Sequence, residues 1–224
     1  LLSASRRAGL RPGSDFAVPH LRAIGSTGAP LPAPVYQWVY EVFDSNVVLS
    51  SISGGTDVCS AFVGSSPLTP VWEGEISCRY LGAAVEAFDG EGHSILEQEG
   101  ELVLTAPLPS MPIGFWDDGD GSRYRAAYFE KSPGVWSHGD FITITSRGSC
   151  VISGRSDATL NRGGVRVGTA EFYRALDDID EISDSLIVHL EDPSEEGPGE
   201  LVLFVVLEGS ATLTDSLASA IHSR

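Results

Sequence analysis

The stretch from Trp72 to Ser153 constrains the fold most. Short runs rich in β-forming residues, "GEISCRYL", "AAVEAFD", "GELVLTAP", "VWSHGDFITIT" and "SCVISG", are separated by Gly, Pro and Asp at spacings too tight for helices. That pattern predicts antiparallel sheet or a distorted barrel. Upstream, "APVYQWVYEVF" (33–43) follows a Pro-rich entry and sets Val35, Trp38, Val39 and Val42 at helical spacing. "NVVLSSIS" (46–53) reads as a buried strand entering the turn "GGTD". After "GRSD" the grammar changes. "TAEFYRALDDI" (169–179) is a predicted helix with Thr169 as N-cap and Phe172, Ala175, Leu176 and Ile179 on one face. "SLIVHL" and "ELVLFVVLE" are strands around the acidic "EDPSEEGPG", and "TLTDSLASAIHS" is a capped helix. The class is mixed α/β and α+β, with a sheet-rich part over 1–156 and a small helix–strand–strand–helix part over 157–224.

Charge narrows the partners. A formal charge of −17 over 224 residues and a pI near 4.5 argue against nucleic-acid binding, which needs a basic face. An anionic ligand must then be met by local cationic pockets, and Arg155, Arg162 and Arg166 cluster in the Gly-rich stretch 154–176. Cys59, Cys78 and Cys150 are odd in number and contain no CxxC pair, which suits reduced thiols in a cytoplasmic protein. No apolar run approaches the roughly 20 residues of a membrane span. The opening "LLSASRRAGL" lacks a signal-peptide core, and the sole Met is Met111, so the expectation is a portion of a longer protein.

Several motifs carry chemistry, each beside a plainer reading. "GSTGAPLP" (25–32) exposes backbone N–H groups as a phosphate cradle would, yet lacks a Lys and reads equally as a turn before a helix. "SSISGGTDVC" (50–59) ends a strand in a hydroxyl and a carboxylate, where open sheets bind ligands. Thr56 can donate to a phosphate and Asp57 can hold Mg²⁺; an Asx-type turn is the alternative. In "WSHGDFITI" (136–144), Asp140 at the start of a strand can accept from a ribose diol, or be a turn aspartate; His138 reads as exposed and carries little weight. Arg155 and Arg166 suit ribose or phosphate oxygens, or are solvated surface groups. Asp157 lies where two architectures meet and could take up a rotation.

Taken in order, "SGGTD", "GELVLTAPLPSMPIGFWDD", "WSHGD" and "GRSDATLNRGGVRVGTAE" resemble the adenylate-forming superfamily of acyl-CoA synthetases, luciferases and peptide-synthetase adenylation domains. The "GRSDATLNRGGVR…GTAE" wording is most similar to acetoacetyl-CoA synthetases, and the match covers most of residues 20–190. The resemblance implies the C-terminal part of a large adenylation domain (1–156, sheet plus distorted barrel) and a partial small domain (157–224) after a hinge at Asp157. It implies an acid–CoA ligase, acting on acetoacetate or a similar small acid, that uses ATP, Mg²⁺ and coenzyme A. By that likeness Gly28, Ala29 and Pro30 form the adenine-contacting turn, with Ser51, Ile52 and Ser53 beside it. Thr56 contacts the α-phosphate, and Asp57 stands at the metal position in place of the usual Glu. Asp140 and Arg155 match the ribose pair, Arg166 the phosphate arginine and Gly164 the pantetheine tunnel.

Gly54 replaces a bulky Trp of acetyl-CoA synthetases, which implies room for a longer acid. Two family parts have no counterpart in the sequence: the phosphate loop ending in Pro-Lys and the C-terminal lysine loop. Lys131 is the only lysine and lies between two large-domain motifs. The 224-residue chain by itself is therefore expected to be inactive. The competing expectation is a non-catalytic nucleotide-binding or interaction module derived from the superfamily.

Overall fold

The computed structural model describes residues 1–43, 46–157, 159–162, 165–176, 179–190 and 200–223. They divide into two compact units, Leu1–Ser153 and Gly154–Arg224. Unit 1 opens with two short helices, α1 (Leu2–Arg7) and α2 (Pro12–Asp15), followed by β1 (Ala23–Ser26), α3 (Ala33–Val42) and β2 (Val48–Ser51). Next come β3 (Ser53–Gly55), β4 (Ser60–Gly64), β5 (Cys78–Arg79), β6 (Val85–Phe88), β7 (Ser94–Ile95) and β8 (Glu99–Leu104). A short α4 (Ser122–Tyr128) precedes β9 (Trp136–Ile144) and β10 (Cys150–Arg155), the last two residues of which belong to unit 2.

The helix read from 33–43 is α3, and its apolar spacing does what periodicity predicts: Val35, Tyr36, Trp38, Val39 and Val42 are buried and pack with Leu49 of β2. Pro at its first turn costs nothing there, because that N–H has no helical partner. β2 pairs in parallel with β1, a strand that sequence inspection took for part of a turn. The antiparallel region forms a three-stranded sheet, β3-β4-β5, and a five-stranded sheet in the order β10-β9-β8-β6-β7. No closed barrel forms among the described residues. Phe62, Leu102, Trp136, Ile142 and Ile144 fill the core against these sheets.

Unit 2 contains β11 (Thr159–Arg162), β12 (Val165–Gly168), α5 (Thr169–Leu176), β13 (Ile182–Leu190), β14 (Glu200–Leu207) and α6 (Asp215–His222). The antiparallel pair β11–β12 was not foreseen from the sequence. Thr169 is the first helical residue of α5 rather than its cap. The α6 cap is as expected, with Leu217 N donating to Thr214 Oγ1 at 3.2 Å. Leu176, Ile179, Ile182 and Leu217 form the core of this unit, backed by Leu203, Val205 and Leu207 from one face of β14.

Candidate functional site

Two of the predicted stretches of unit 1, residues 28–30 and 51–53, lie at or just beyond the C-terminal ends of the parallel strands. β1 runs into the loop holding Gly28, Ala29 and Pro30, and β2 ends at Ser51. Ile52 N donates to Ser26 O at 2.9 Å, so the two strand ends stay paired up to the point where both chains leave the sheet. Gly28 has φ +90°, a left-handed turn that favours glycine. Open α/β sheets bind ligands at such carboxyl edges, where backbone polar groups are no longer consumed by the ladder.

From Ser51 the chain continues through Ile52 into the β3–β4 hairpin, whose tip carries Thr56 and Asp57, both exposed. Cys59 N donates to Thr56 O at 3.0 Å and closes the tip. The Asp57 carboxylate accepts the hydroxyl of Tyr128, the last residue of α4. A contact across 71 residues of sequence orients this carboxylate, which is not the local arrangement an Asx turn would use. The Tyr128 ring in turn stacks on Trp136, with centroids 3.6 Å apart.

Gly54 differs from the expectation. A Cβ placed there would lie 2.2 Å from Ser60 O and 2.5 Å from Ala61 Cα, so the missing side chain permits close strand approach at the β3–β4 bulge. It leaves no opening on that side. Gly55 is equally confined, because its Cβ would come 2.7 Å from His138 Cε1.

Asp140 lies in the middle of β9, not at its start, and is 7% exposed. The β8–β9 register explains how a carboxylate is held in a strand interior. Glu101 pairs with Phe141 and Val103 with Ser137, so Leu102 alone faces His138, Gly139 and Asp140. This bulge re-aims the bulged residues, and Gly139 makes it possible with φ +83°. The Gly139 N–H, lost to the ladder, donates to Glu101 Oε1 at 3.0 Å. Lys131 Nζ pairs with Glu101 Oε2 at 3.2 Å, so the sole lysine supports the bulge.

His138 is buried, contrary to its reading as exposed. Trp136 Nε1–H donates to its Nδ1 at 3.4 Å, which leaves the proton on Nε2. That nitrogen lies 3.2 Å from Gly54 O and 3.6 Å from Asp140 Oδ2. The signal for His138 was present in the sequence. Trp136 and His138 are two apart on a strand and share one face.

In unit 2, Arg155 is exposed and binds Asp157 through one bidentate guanidinium edge, its Nε donating to Oδ1 at 2.8 Å and a terminal NH2 group donating to Oδ2. The expected ribose residue and the expected hinge residue are therefore partners. An exposed pair of this kind contributes roughly 0–1 kcal/mol. Arg166 lies in β12 opposite Asn161. Gly164 lies outside the described residues. No group of three or more His, Cys, Asp or Glu side chains suited to a metal occurs among the described residues.

The acetoacetyl-coenzyme A synthetase of Rhizobium meliloti is 45% identical over 223 residues, which are 100% of this chain and 34% of that protein. The similarity to acetoacetyl-CoA synthetases runs along the whole length of this chain. The mouse acetoacetyl-CoA synthetase is 43% identical over 99% of the chain and 33% of its own length. Among solved structures, the acetoacetyl-CoA synthetase of Streptomyces lividans superposes with a TM-score of 0.85 at 43% identity, covering 98% of this chain and 33% of that one. An anthranilate–CoA ligase, AuaEII, shares the fold with a TM-score of 0.73 at 19% identity, over 99% of this chain and 40% of its own. No family model matches. The chain thus spans about a third of the length of the acetoacetyl-CoA synthetases it matches.

Proposed function

We propose that these residues form the nucleoside-binding part of an ATP-dependent acid–CoA ligase that acts on acetoacetate in the cytoplasm. The observation that supports the reading is the approach, through His138, of the hairpin carrying Thr56 and Asp57 to the bulge-held Asp140, in the same unit as the paired β1 and β2 strand ends. In this reading residues 1–156 are the end of the large adenylation domain and residues 157–224 the beginning of the small one, with Asp157 as the hinge.

Gly28-Ala29-Pro30 and Ser51-Ile52-Ser53 border the adenine. Asp140 accepts hydrogen bonds from the ribose hydroxyls, and Arg155 exchanges Asp157 for the same ribose. Thr56 and Arg166 donate to phosphate oxygens. An acid carboxylate attacks the α-phosphorus of ATP, forming the acyl-adenylate as pyrophosphate departs. The thiol of coenzyme A, entering past Gly164, then attacks the acyl carbon and AMP leaves. Asp57 suits Mg²⁺, which takes one or two carboxylates and completes its shell with phosphate oxygens and water. A bound Mg²⁺ would neutralise charge on the phosphates.

The test is pyrophosphate release by the intact polypeptide across acetate, butyrate, acetoacetate and longer acids. Acetoacetate is the expected preferred acid, and a clear preference for acetate overturns the assignment. Asp140→Ala should raise the Michaelis constant for ATP by about tenfold or more, since hydrogen bonds to a charged group contribute about 1.5–3 kcal/mol. Unchanged ATP dependence in a folded variant would remove Asp140 from the site.

A further inference from the structure

Asp140 alone does not account for how the ribose side and the phosphate side of the site keep a common frame. They sit on separate sheets, β9 in the five-stranded one and β3–β4 in the three-stranded one. His138 bridges them. It is 8% exposed and packs edge-on against Phe62 of β4, with ring centroids 4.7 Å apart. Its one N–H, on Nε2, faces both Gly54 O and the Asp140 carboxylate.

The tautomer is set from behind. Trp136 is a donor only, so the Nδ1 beside it must be the acceptor. Trp136 cannot turn away, because it is 1% exposed and stacked on Tyr128. Gly55 completes the fit, since any side chain there would displace the imidazole. The backbone just before Thr56 and the carboxylate of Asp140 are thus gauged from one imidazole edge.

We infer that His138 is a positioning residue for nucleotide binding: held by Trp136 as its Nε2–H tautomer, it registers the Gly54–Asp57 hairpin against Asp140. This rests on the proposed nucleotide role of Asp140. A purely packing role would need only the ring's volume, whereas a positioning role needs the N–H at the Nε2 place.

The experiment compares His138→Leu, His138→Gln and Asp140→Asn in the intact polypeptide, reading KM for ATP and kcat separately. His138→Leu removes both nitrogens without lengthening the side chain, while the Gln amide can return an N–H to the same region. His138→Leu should raise KM for ATP roughly three- to tenfold, the scale of one lost hydrogen bond. His138→Gln should recover most of that loss. Equal KM values for the Leu and Gln variants would overturn the positioning role. If Asp140→Asn raises KM while His138→Leu does not, the inference fails and the nucleotide reading stands. If neither does, the nucleotide reading itself fails. Should His138→Leu not fold, ¹⁵N-histidine spectra of the parent decide the matter. A bare Nδ1 and protonated Nε2 are expected, and a proton on Nδ1 overturns the inference.

Discussion

In residues 1–153 the core holds Phe62, Leu102, Trp136, Ile142 and Ile144 at 0–1% exposure, drawn from strands distant in sequence. In residues 154–224 the buried cluster is Leu176, Ile179, Ile182 and Leu217, each still 4–8% exposed. The β13–β14 pair covers one of its faces with α5 and α6, but Leu186 and Phe204, directly opposite each other, remain 54% and 56% exposed on the other. The difference teaches where positional accuracy can reside. Asp140, His138 and the Gly54–Asp57 hairpin are held by side chains that cannot move independently. Arg155 and Asp157 pair with one another at the exposed surface.

The sharpest way to break this comparison is thiol chemistry. Burial pushes the Cys150 thiol from 9.0 up to about 12. That shift lowers its thiolate fraction roughly a thousandfold near neutral pH. Alkylation of the native protein should therefore label the exposed Cys59 and spare Cys150 until unit 1 opens. The sign for stability follows from the same shift. The unfolded thiol ionises first, so this contribution is intact below pH 9.0 and is lost as pH rises toward about 12. Labelling of Cys150 at the rate of Cys59 would show that unit 1 is not closed as described.

Next in size is Trp136→Ala. It removes a fully buried ring that stacks on Tyr128 and orients His138, at a cost of about 3–5 kcal/mol. Denaturant unfolding followed by Cys150 labelling measures it. A loss below about 1 kcal/mol would contradict the central place given to this ring.

Leu176→Ala should cost about 2–5 kcal/mol, confined to unit 2. Hydrogen exchange should rise in β13 and β14 while Cys150 stays protected. Simultaneous loss of protection in both units would mean that they unfold as one.

The smallest effect belongs to Phe204→Thr on the open sheet face. It removes a cross-strand partner of Leu186 and nothing buried, so less than about 1 kcal/mol is expected. A larger loss in thermal unfolding would mean that this face is covered in solution.

Much of the candidate site was legible because its residues are announced by their immediate neighbours. Thr56 and Asp57 end a strand after two glycines, and Gly28 belongs to a turn whose composition is recognisable without coordinates. Asp140 was singled out in the sequence but placed at the start of its strand instead of the middle, because a bulge appears only when β8 and β9 are aligned. His138 was passed over because exposure was judged from a polar neighbourhood, "SHGD", that in three dimensions is closed by Phe62 and Trp136.

The sequence by itself determined the helix at 33–42, the long strands β9 and β14, the capped α6 and the order of the candidate motifs. These depend on periodicity, capping and turn chemistry within a few residues. Only the tertiary structure decided that β1 pairs with β2, that Gly54 serves close strand approach rather than an opening, and that Tyr128 holds Asp57. It alone placed the His138 ring between Gly54 and Asp140. The physical reason is sequence separation. Tyr128 reaches Asp57 across 71 residues and His138 reaches Gly54 across 84, and no local pattern encodes which distant surface a side chain will meet once both sheets have packed.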